Sequence, residues 1–465
     1  LIVGNKSYKK VILPFVYTIS KSTNKILRDF IKNNGKLYAL TIPDNIEGQK
    51  SQADFYSTIS FEQLLNDRYI KTEELSDNVF ITSRKGEIGE FIFVKNLSMT
   101  EEGFVEINGL SDNYVIADFI EKKYLKAEDR LRVKPGNSLI LYKKKSDLQS
   151  IKYAEIDLTK DVKFEGISDN YLIIDRASVS FDGNKFDEYK DVQQIFEELL
   201  RKDYIGELYV KFRFTIKEMP STLVLLMEDA LYKYVAINNH RITLSESGFD
   251  IKFKECDILP FIKEGENEII YSINYYQHEG VSFALFDPEA TESLRNCLYY
   301  DTEIERIYLK GRFCVNEDLS LSKEPQTVPV CHNLQENGFP FFCGDVTYSF
   351  GYEYKEGEVL LQLEGRFIAA YVTINGKKVN FVLDNKRDIT KYLNCGKNKI
   401  TVTVKSSPRN LLGPHHFKHE KDSFWVSPYH FTLRGSWREG TSNDYTSGYN
   451  VVDFGLKGVK IFKEI

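Results

Sequence analysis

The 465-residue sequence predicts a mainly β, multidomain chain: a partial α/β segment, a small antiparallel β unit, then two jelly-roll β-sandwiches. Three observations predict it. Tyr (29) and Phe (32) are abundant while Met (3) and Trp (2) are scarce, and flat aromatic rings suit half-buried pleated surfaces. Short apolar runs are punctuated throughout by Gly, Asn and Pro. One pattern of strand, turn and strand occurs twice at fixed spacing. A soft prior of roughly 150 residues per domain allows about three domains. The expected boundaries are 1–85, 86–147, 148–292 and 293–465.

The first segment reads β-α-β. Val11-Ile12-Leu13 is a short apolar run stopped by Pro14. Thr23 can cap a helix whose Ile26, Leu27, Phe30 and Ile31 fall on one face, and Asn34-Gly35 supplies a left-handed stop. Lys36 to Leu40 is the next strand. A second helix is expected from Ser60, with Gln63 as its capping-box partner. Two parallel strands need neighbours on both faces, so the rest of this sheet is expected upstream of Leu1. From Gly86 the pattern changes. Phe91 to Val94, Phe104 to Ile107, Tyr114 to Ala117 and Ser138 to Tyr142 read as short strands, separated by Asn108-Gly109 and Pro135-Gly136-Asn137. The charged stretch Lys143 to Asp147 reads equally as a linker or as a solvated strand end.

The repeat is the most informative feature. Asp257-Ile258, Phe261-Ile262, Gly265, Asn267 and Ile269 recur at the same spacing as Asp388-Ile389, Tyr392-Leu393, Gly396, Asn398 and Ile400. Upstream, Val235-x-Ile237-Asn238-Asn239 matches Val372-x-Ile374-Asn375-Gly376. Asn-Gly favours positive φ at both central positions, as a type I′ hairpin needs. Asp-Ile opens a turn of helix, and Gly-x-Asn ends it and starts the next strand. Longer strands, Leu208 to Ile216 and Val346 to Tyr354, complete the sheets, and a helix from Val192 to Leu200 decorates the first copy.

Composition excludes several functions. Net charge is −6, from 62 Lys and Arg against 68 Asp and Glu, and no basic stretch interleaves with aromatics, so no nucleic-acid partner is expected. The longest apolar runs fall far short of the ~20 residues that span a bilayer, so no membrane partner is expected. Cys256, Cys297, Cys314, Cys331, Cys343 and Cys395 form no Cys-x-x-Cys pair, which argues for buried free thiols over a zinc or redox centre. A disulfide among Cys314, Cys331 and Cys343 stays open. No phosphate-cradling glycine loop and no Gly-x-Ser-x-Gly occur. No cofactor is expected.

Several segments carry a family resemblance. They are Tyr8-Lys-Lys-Val-Ile-Leu-Pro14 with the helix up to Gly35, Asn170-Tyr-Leu-Ile-Ile-Asp175, Asp182-Gly183 and Leu225-Leu-Met-Glu228. Three more are Ile307-Tyr-Leu-Lys-Gly-Arg-Phe313, Gly338-Phe-Pro-Phe-Phe-Cys-Gly344 and Asn410-Leu-Leu-Gly-Pro-His-His416. Together they resemble the C-terminal region of bacterial glycoside hydrolases of the family 106 type, the α-L-rhamnosidases. The likeness implies an amidotransferase-like α/β segment followed by galactose-binding-like β-sandwiches. The family often has Gly-Gly where this chain has Asn34-Gly35. Its catalytic carboxylates sit on a barrel that would precede residue 1, so no catalytic residue is carried over. The resemblance implies an accessory region whose partners are carbohydrate and an upstream catalytic domain. A stand-alone carbohydrate-binding protein and a structural interaction module are the alternatives.

Candidate carbohydrate-facing residues are Asn410, His415, His416, Trp425 and Trp437. His415-His416, with His419 nearby, is the only histidine cluster. It reads as a rigid Gly-Pro loop with ordinary polar contacts, as a sugar-facing surface, or as a metal site lacking an obvious carboxylate ligand. Trp425 and Trp437, with Phe424, Tyr429 and Tyr445, offer rings on which sugar C–H faces stack, with core packing as the plainer fate. Glu228-Asp229 is the best-placed acidic pair. Adjacent strand residues point to opposite faces, so the two would not converge as glycoside hydrolysis requires. Asp182-Gly183-Asn184 reads as a hairpin turn rather than a calcium loop. No catalytic and no metal residue is assigned.

Overall fold

The computed structural model describes residues 1–4, 6–51, 58–66, 72–87, 89–118, 123–144, 152–330, 333–381, 385–416 and 446–465. The chain forms two compact units, Leu1–Ser150 and Ile151–Ile465. Both are dominated by antiparallel sheet, as the abundance of Tyr and Phe predicts.

In the first unit, strand Lys10–Leu13 pairs in parallel with Lys36–Ala39 across the helix Lys21–Lys32. Leu13, Leu27, Leu37 and Ala39 share a small core with Ile19. The helix begins three residues earlier than predicted, because Ser20 caps it in place of Thr23: its Oγ accepts from the Thr23 amide at 3.0 Å. That register leaves Ile26 exposed and buries Leu27 and Phe30. The capping box is present, with the Ser60 amide donating to Gln63 Oε1 (2.9 Å) and the Gln63 amide to Ser60 Oγ (3.0 Å).

Residues 74–143 of this unit form a five-stranded and a three-stranded antiparallel sheet around Ile92, Val94, Val105, Leu131 and Leu141. The boundary expected at 85/86 falls inside a strand, since Val79–Gly86 pairs along its length with Gly89–Asn96. Lys143 ends the strand Ser138–Lys143 and its ammonium lies 3.3 Å from Glu90, while 145–147 lie outside the described residues.

The second unit contains two β-sandwiches. The first sets a sheet built on Gly206–Ile216, Gly265–Tyr275 and Tyr232–Ile237 against one built on Asn170–Ile174, Ile307–Gly311, Leu223–Glu228 and Phe253–Asp257. Their inner faces meet in one core through Val210, Phe212, Ile269 and Tyr271 on one side and Leu172, Leu225 and Leu309 on the other. Helix Val192–Arg201 adds Ile195, Phe196 and Leu199 to it. The second sandwich sets Asp345–Tyr354, Gly396–Lys405 and Ala369–Ile374 against Val359–Arg366 and Gly455–Glu464. Tyr348, Ile400, Val402, Leu361 and Ile461 fill that core.

The sandwiches interleave along the chain, so the expected boundaries at 148 and 292/293 do not separate them. Strands Tyr153–Asp157 and Lys163–Ile167 precede the first sandwich yet pair with Gly455–Glu464 and Asp345–Tyr354 of the second. Strand Ile307–Gly311, expected in the second, lies between Asn170–Ile174 and Leu223–Glu228 of the first. Gly311 suits that central place, because a Cβ there would sit 2.2 Å from the Thr222 carbonyl oxygen.

The repeated motif builds the same device in each sandwich. Asn238 and Asn239 both take positive φ (45° and 69°), as do Asn375 and Gly376 (50° and 79°), which gives the predicted hairpins. Asp257 Oδ1 accepts from the Leu259 amide and Asp388 Oδ1 from the Thr390 amide, each at 3.0 Å, before one turn of helix. Gly265 (φ 91°) and Gly396 (φ 92°) then turn the chain.

Behind each glycine a buried asparagine closes the turn. Asn267 Oδ1 accepts from the Lys263 amide (2.9 Å) and from Asn238 Nδ2 (2.7 Å), and its Nδ2 donates to the Lys263 and Gly265 carbonyls. Asn398 repeats this with Asn394, Asn375 and Gly396 at 2.7–2.8 Å.

Removing a side chain that satisfies several buried groups is expensive. Asn267→Ala and Asn398→Ala are each expected to lower unfolding free energy by about 2–3 kcal/mol. Asn239→Gly, at a left-handed position that glycine accepts, is expected to change it by less than about 0.5 kcal/mol. Urea unfolding followed by tyrosine fluorescence measures all three.

Candidate functional site

The described part of the predicted histidine loop sits in a network of buried polar groups. Short helix Arg409–Leu412 ends at Gly413 (φ 85°), and the next turn directs His415 and His416 towards the first sandwich. Asn410 is 2% exposed, and its carboxamide pairs with the backbone of Val452, donating to the carbonyl and accepting from the amide, both at 2.8 Å. The His415 carbonyl accepts from the Asn450 amide (2.7 Å) and the His416 carbonyl from the Thr446 amide (3.1 Å). Segments 409–416 and 446–452 are therefore bound side by side.

Arg306 sits 3.0 Å from His415 Nδ1. A guanidinium only donates, so Nδ1 is the acceptor and Nε2 carries the proton, which it gives to the Asn410 carbonyl at 2.9 Å. His415 is neutral. Burial, then the Arg306 charge, push its pKa down to about 3. It is 3% exposed and packs edge-on to Phe341 and Tyr449.

His416 is the opposite case. Its Nδ1 faces the Thr446 and Gly448 carbonyls (3.1 and 3.2 Å), and its Nε2 faces Asp175 Oδ2 at 3.0 Å. Both ring nitrogens meet acceptors, so both carry protons and the ring is an imidazolium. Burial works against that charge. The Asp175 hydrogen bond and charge, then Asp191 at 3.7 Å, outweigh it and hold the pKa above the ordinary histidine value.

Burial would raise the Asp175 carboxyl, but His416, the Tyr449 hydroxyl donating at 2.8 Å and the Arg306 charge together hold it low. Asp191, which caps helix Val192–Arg201 through the Gln193 amide, is raised by burial and by the Asp175 charge. A histidine held protonated between a carboxylate and two carbonyls has no lone pair for base or metal chemistry. What it does here is fasten.

The structure thus brings Asn410, His415 and His416 together and places Asn410 and His415 inside. Trp425 and Trp437 lie outside the described residues, as do His419, Phe424, Tyr429 and Tyr445. Asp175, Asp191, Arg306 and Tyr449 were missed as partners. Asp175 closes the segment Asn170-Tyr-Leu-Ile-Ile-Asp175, yet nothing in spacing links it to a histidine 241 residues away.

Among the other candidates, Asp229 pairs with Lys254 at 3.5 Å while burial raises the neighbouring Glu228. Glu305, which spacing did not single out, is pushed by burial to about 7, with Glu228 and Glu303 adding to the rise. Asp182 Oδ1 accepts from the Asn184 and Lys185 amides in a turn, which lowers its carboxyl to about 2. Cys256, Cys297, Cys314, Cys343 and Cys395 are free thiols, but none is buried as expected: Cys256, Cys314 and Cys343 are half-buried and Cys297 and Cys395 exposed, while Cys331 lies outside the described residues. Among the described residues no cluster of three or more His, Cys, Asp or Glu side chains is arranged to hold a metal.

No family model and no curated protein matches this sequence. Solved structures with partial likeness include a rhamnosidase from Novosphingobium sp. PP1Y, at 10% identity and TM-score 0.22 over 63% of this chain and 33% of that one. An α-L-rhamnosidase from Streptomyces avermitilis aligns at 7% identity and TM-score 0.23 over 71% of this chain and 36% of that one. A β-D-mannosidase from Dictyoglomus thermophilum aligns at 14% identity and TM-score 0.22 over 51% of this chain and 31% of that one. The chain spans about a third of each of these proteins, and likeness at this level assigns neither family nor activity.

The ion pair makes stability depend on pH in a defined direction. A raised histidine pKa adds stability that is complete below the unfolded value near 6.5 and is lost as pH rises through the folded value. A depressed histidine pKa, as at His415, costs stability as pH falls below that same value. His416→Gln is therefore expected to be most destabilising near pH 6, by about 3 kcal/mol, with the deficit shrinking above neutrality. His415→Gln is expected to flatten the loss of stability between pH 6 and 4. Melting temperatures across pH 4–9 read out both.

Proposed function

We propose that this chain is the accessory region of an α-L-rhamnosidase-like glycoside hydrolase, supporting carbohydrate binding by a catalytic barrel outside these residues. One observation supports the reading above others: segments that carry the family resemblance, scattered in sequence, meet in space. Asn170 Nδ2 donates to the Phe313 carbonyl (2.9 Å) and the Gly338 carbonyl (2.8 Å), which joins three of them. Asp175 ends the first of these and holds His416 of the fourth. Phe341, in the third, packs on His415 and on Tyr449. Leu223–Glu228 pairs with Ile307–Gly311. Motifs that resemble one family while converging on one fastening are what a shared scaffold requires.

A second reading, the structural interaction module, draws on the first unit. Phe15 (72%) and Tyr17 (80%) are exposed there beside Ile12 and Ile26. Exposed apolar groups of this kind suit contact with another domain. Leu231 and Ile251 are equally exposed in the second unit, so the feature is not confined to the first, as that reading requires.

The accessory reading has a direct test. Residues 1–465 alone are expected to leave aryl α-L-rhamnosides at the uncatalysed rate, and addition to the catalytic barrel, supplied as a separate chain, is expected to raise its activity on polymeric substrate. Turnover by residues 1–465 that copurifies with the protein would overturn the proposal.

A further inference from the structure

The two sandwiches share a scaffold but not a surface. On the outer face of the larger sheet of the first sandwich lies a groove of about 720 Å³. Its walls are Tyr234 and Arg241 on one hairpin and Glu266 and Glu268 on the facing strand, with Glu264 just before that strand and Asn239 at the end. The inward residues of the same strands, Val235, Ile237, Ile269 and Tyr271, are buried in the core. The groove side chains point the other way, so the fold does not dictate their identity.

We propose that this groove binds a neutral oligosaccharide, an inference that rests on the carbohydrate role proposed above and gives it a site. The chemistry of the lining carries it. Carboxylate, guanidinium and carboxamide are planar groups that pair with vicinal hydroxyls through two hydrogen bonds. An aromatic ring offers a face to sugar C–H groups. Tyr234 supplies the ring, and the Arg241 guanidinium lies 4.8 Å from its centroid. The carboxylates are held in place from the adjacent strand: Arg213 lies 2.8 Å from Glu268 and 3.5 Å from Glu266. Such a surface is preorganised before any ligand arrives.

The second sandwich provides the internal control. The scaffold residues are kept, with Asn375 for Asn238, Gly396 for Gly265 and Asn398 for Asn267. The charged residues of the groove are replaced, while its tyrosine is kept. Lys397 and Lys399 stand where Glu266 and Glu268 do, Cys395 stands for Glu264 and Lys378 for Arg241. Tyr371 stands for Tyr234 and is 58% exposed. Three carboxylates against Arg241 and Lys263 disfavour a polyanion in the first groove, which selects uncharged sugars over uronic-acid chains.

The test is isothermal calorimetry on the full chain with neutral rhamno-, gluco-, galacto- and manno-oligosaccharides, and with oligogalacturonates as the anionic arm. A neutral oligosaccharide is expected to bind, with affinity falling at least about tenfold in Tyr234→Ala and in Arg241→Ala. Tyr371→Ala is expected to leave it within about twofold. Arg241 is exposed, so its variant keeps the test intact if Tyr234→Ala does not fold. Binding indifferent to both groove variants overturns the groove and leaves the accessory role standing. Binding of oligogalacturonates alone, or of no sugar at millimolar concentration, also overturns the groove. The accessory role falls separately, on the rhamnoside assay.

Discussion

Each sandwich hangs on one buried asparagine. Asn267 and Asn398 use both sides of the carboxamide: each Oδ1 accepts one hydrogen bond from the turn and one from the neighbouring hairpin, and each Nδ2 donates to two carbonyls of the turn, with Asn398 Nδ2 also 3.4 Å from the Tyr352 carbonyl. An aspartate would face the Lys263 and Gly265 carbonyls with no proton to give. A leucine would leave two carbonyls and two N–H groups unpaired inside the protein. The second asparagine of each pair, Asn238 or Asn375, extends the contact to the neighbouring hairpin, because its Oδ1 accepts from the Glu268 or Lys399 amide at 3.1 Å. The clasp thereby sets the register between Tyr232–Ile237 and Gly265–Tyr275, and between Ala369–Ile374 and Gly396–Lys405. A slip of one residue there would turn every core side chain to solvent.

The second constraint is electrostatic. Arg306, His416, Asp175 and Asp191 lie together where water is scarce, and unpaired charge there is costly. The arrangement resolves this by giving neighbouring histidines opposite states. His415 meets a cation and stays neutral, while His416 meets a carboxylate and stays charged. Tyr449 completes Asp175 on its other oxygen. This polar set holds 409–416 and 446–452 against the first sandwich, although both segments flank strands of the second. The two sandwiches are therefore joined both by the chain's interleaved path and by a shared ion pair.

What the sequence disclosed, and what it hid, follows from distance along the chain. The repeat was legible because its parts are local. Asn238 and Asn267 are 29 residues apart and Asn375 and Asn398 only 23, and each turn demands its own residue types. The capping box at Ser60 and Gln63 was legible for the same reason. The helix at Lys21 was placed slightly late because Ser20 and Thr23 both suit a cap, and only the hydrogen bond distinguishes them. Strand exchange between the sandwiches was not legible. Ile307–Gly311 pairs with partners far upstream, and an apolar run carries no sign of which sheet it joins. The histidine pair was seen as chemistry-bearing, but its burial was decided by Asp175, Arg306 and Phe341, which no spacing rule connects to it.

Duplication explains how a surface can acquire a role without endangering the fold. Residues inside each copy answer to the clasp and the core, so Asn, Gly and the alternating Val and Ile persist. Residues on the outer face answer only to solvent and to neighbours across the sheet. There the first copy pairs Glu268 with Arg213 and Lys211, and the second pairs Lys399 with Glu165. The sign of the strand residue has reversed and its ionic partner has moved: Gly351 stands across from Lys399 where Arg213 stands across from Glu268, and Glu165 reaches in from Lys163–Ile167, one strand further away, which changes what the face offers a ligand. A surface pair worth about 0–1 kcal/mol is a weak constraint on folding. The same groups set in a groove around an aromatic ring can be decisive for recognition. Chemical novelty in this chain is therefore to be sought on the outward positions of the clasped strands, where the two copies differ most.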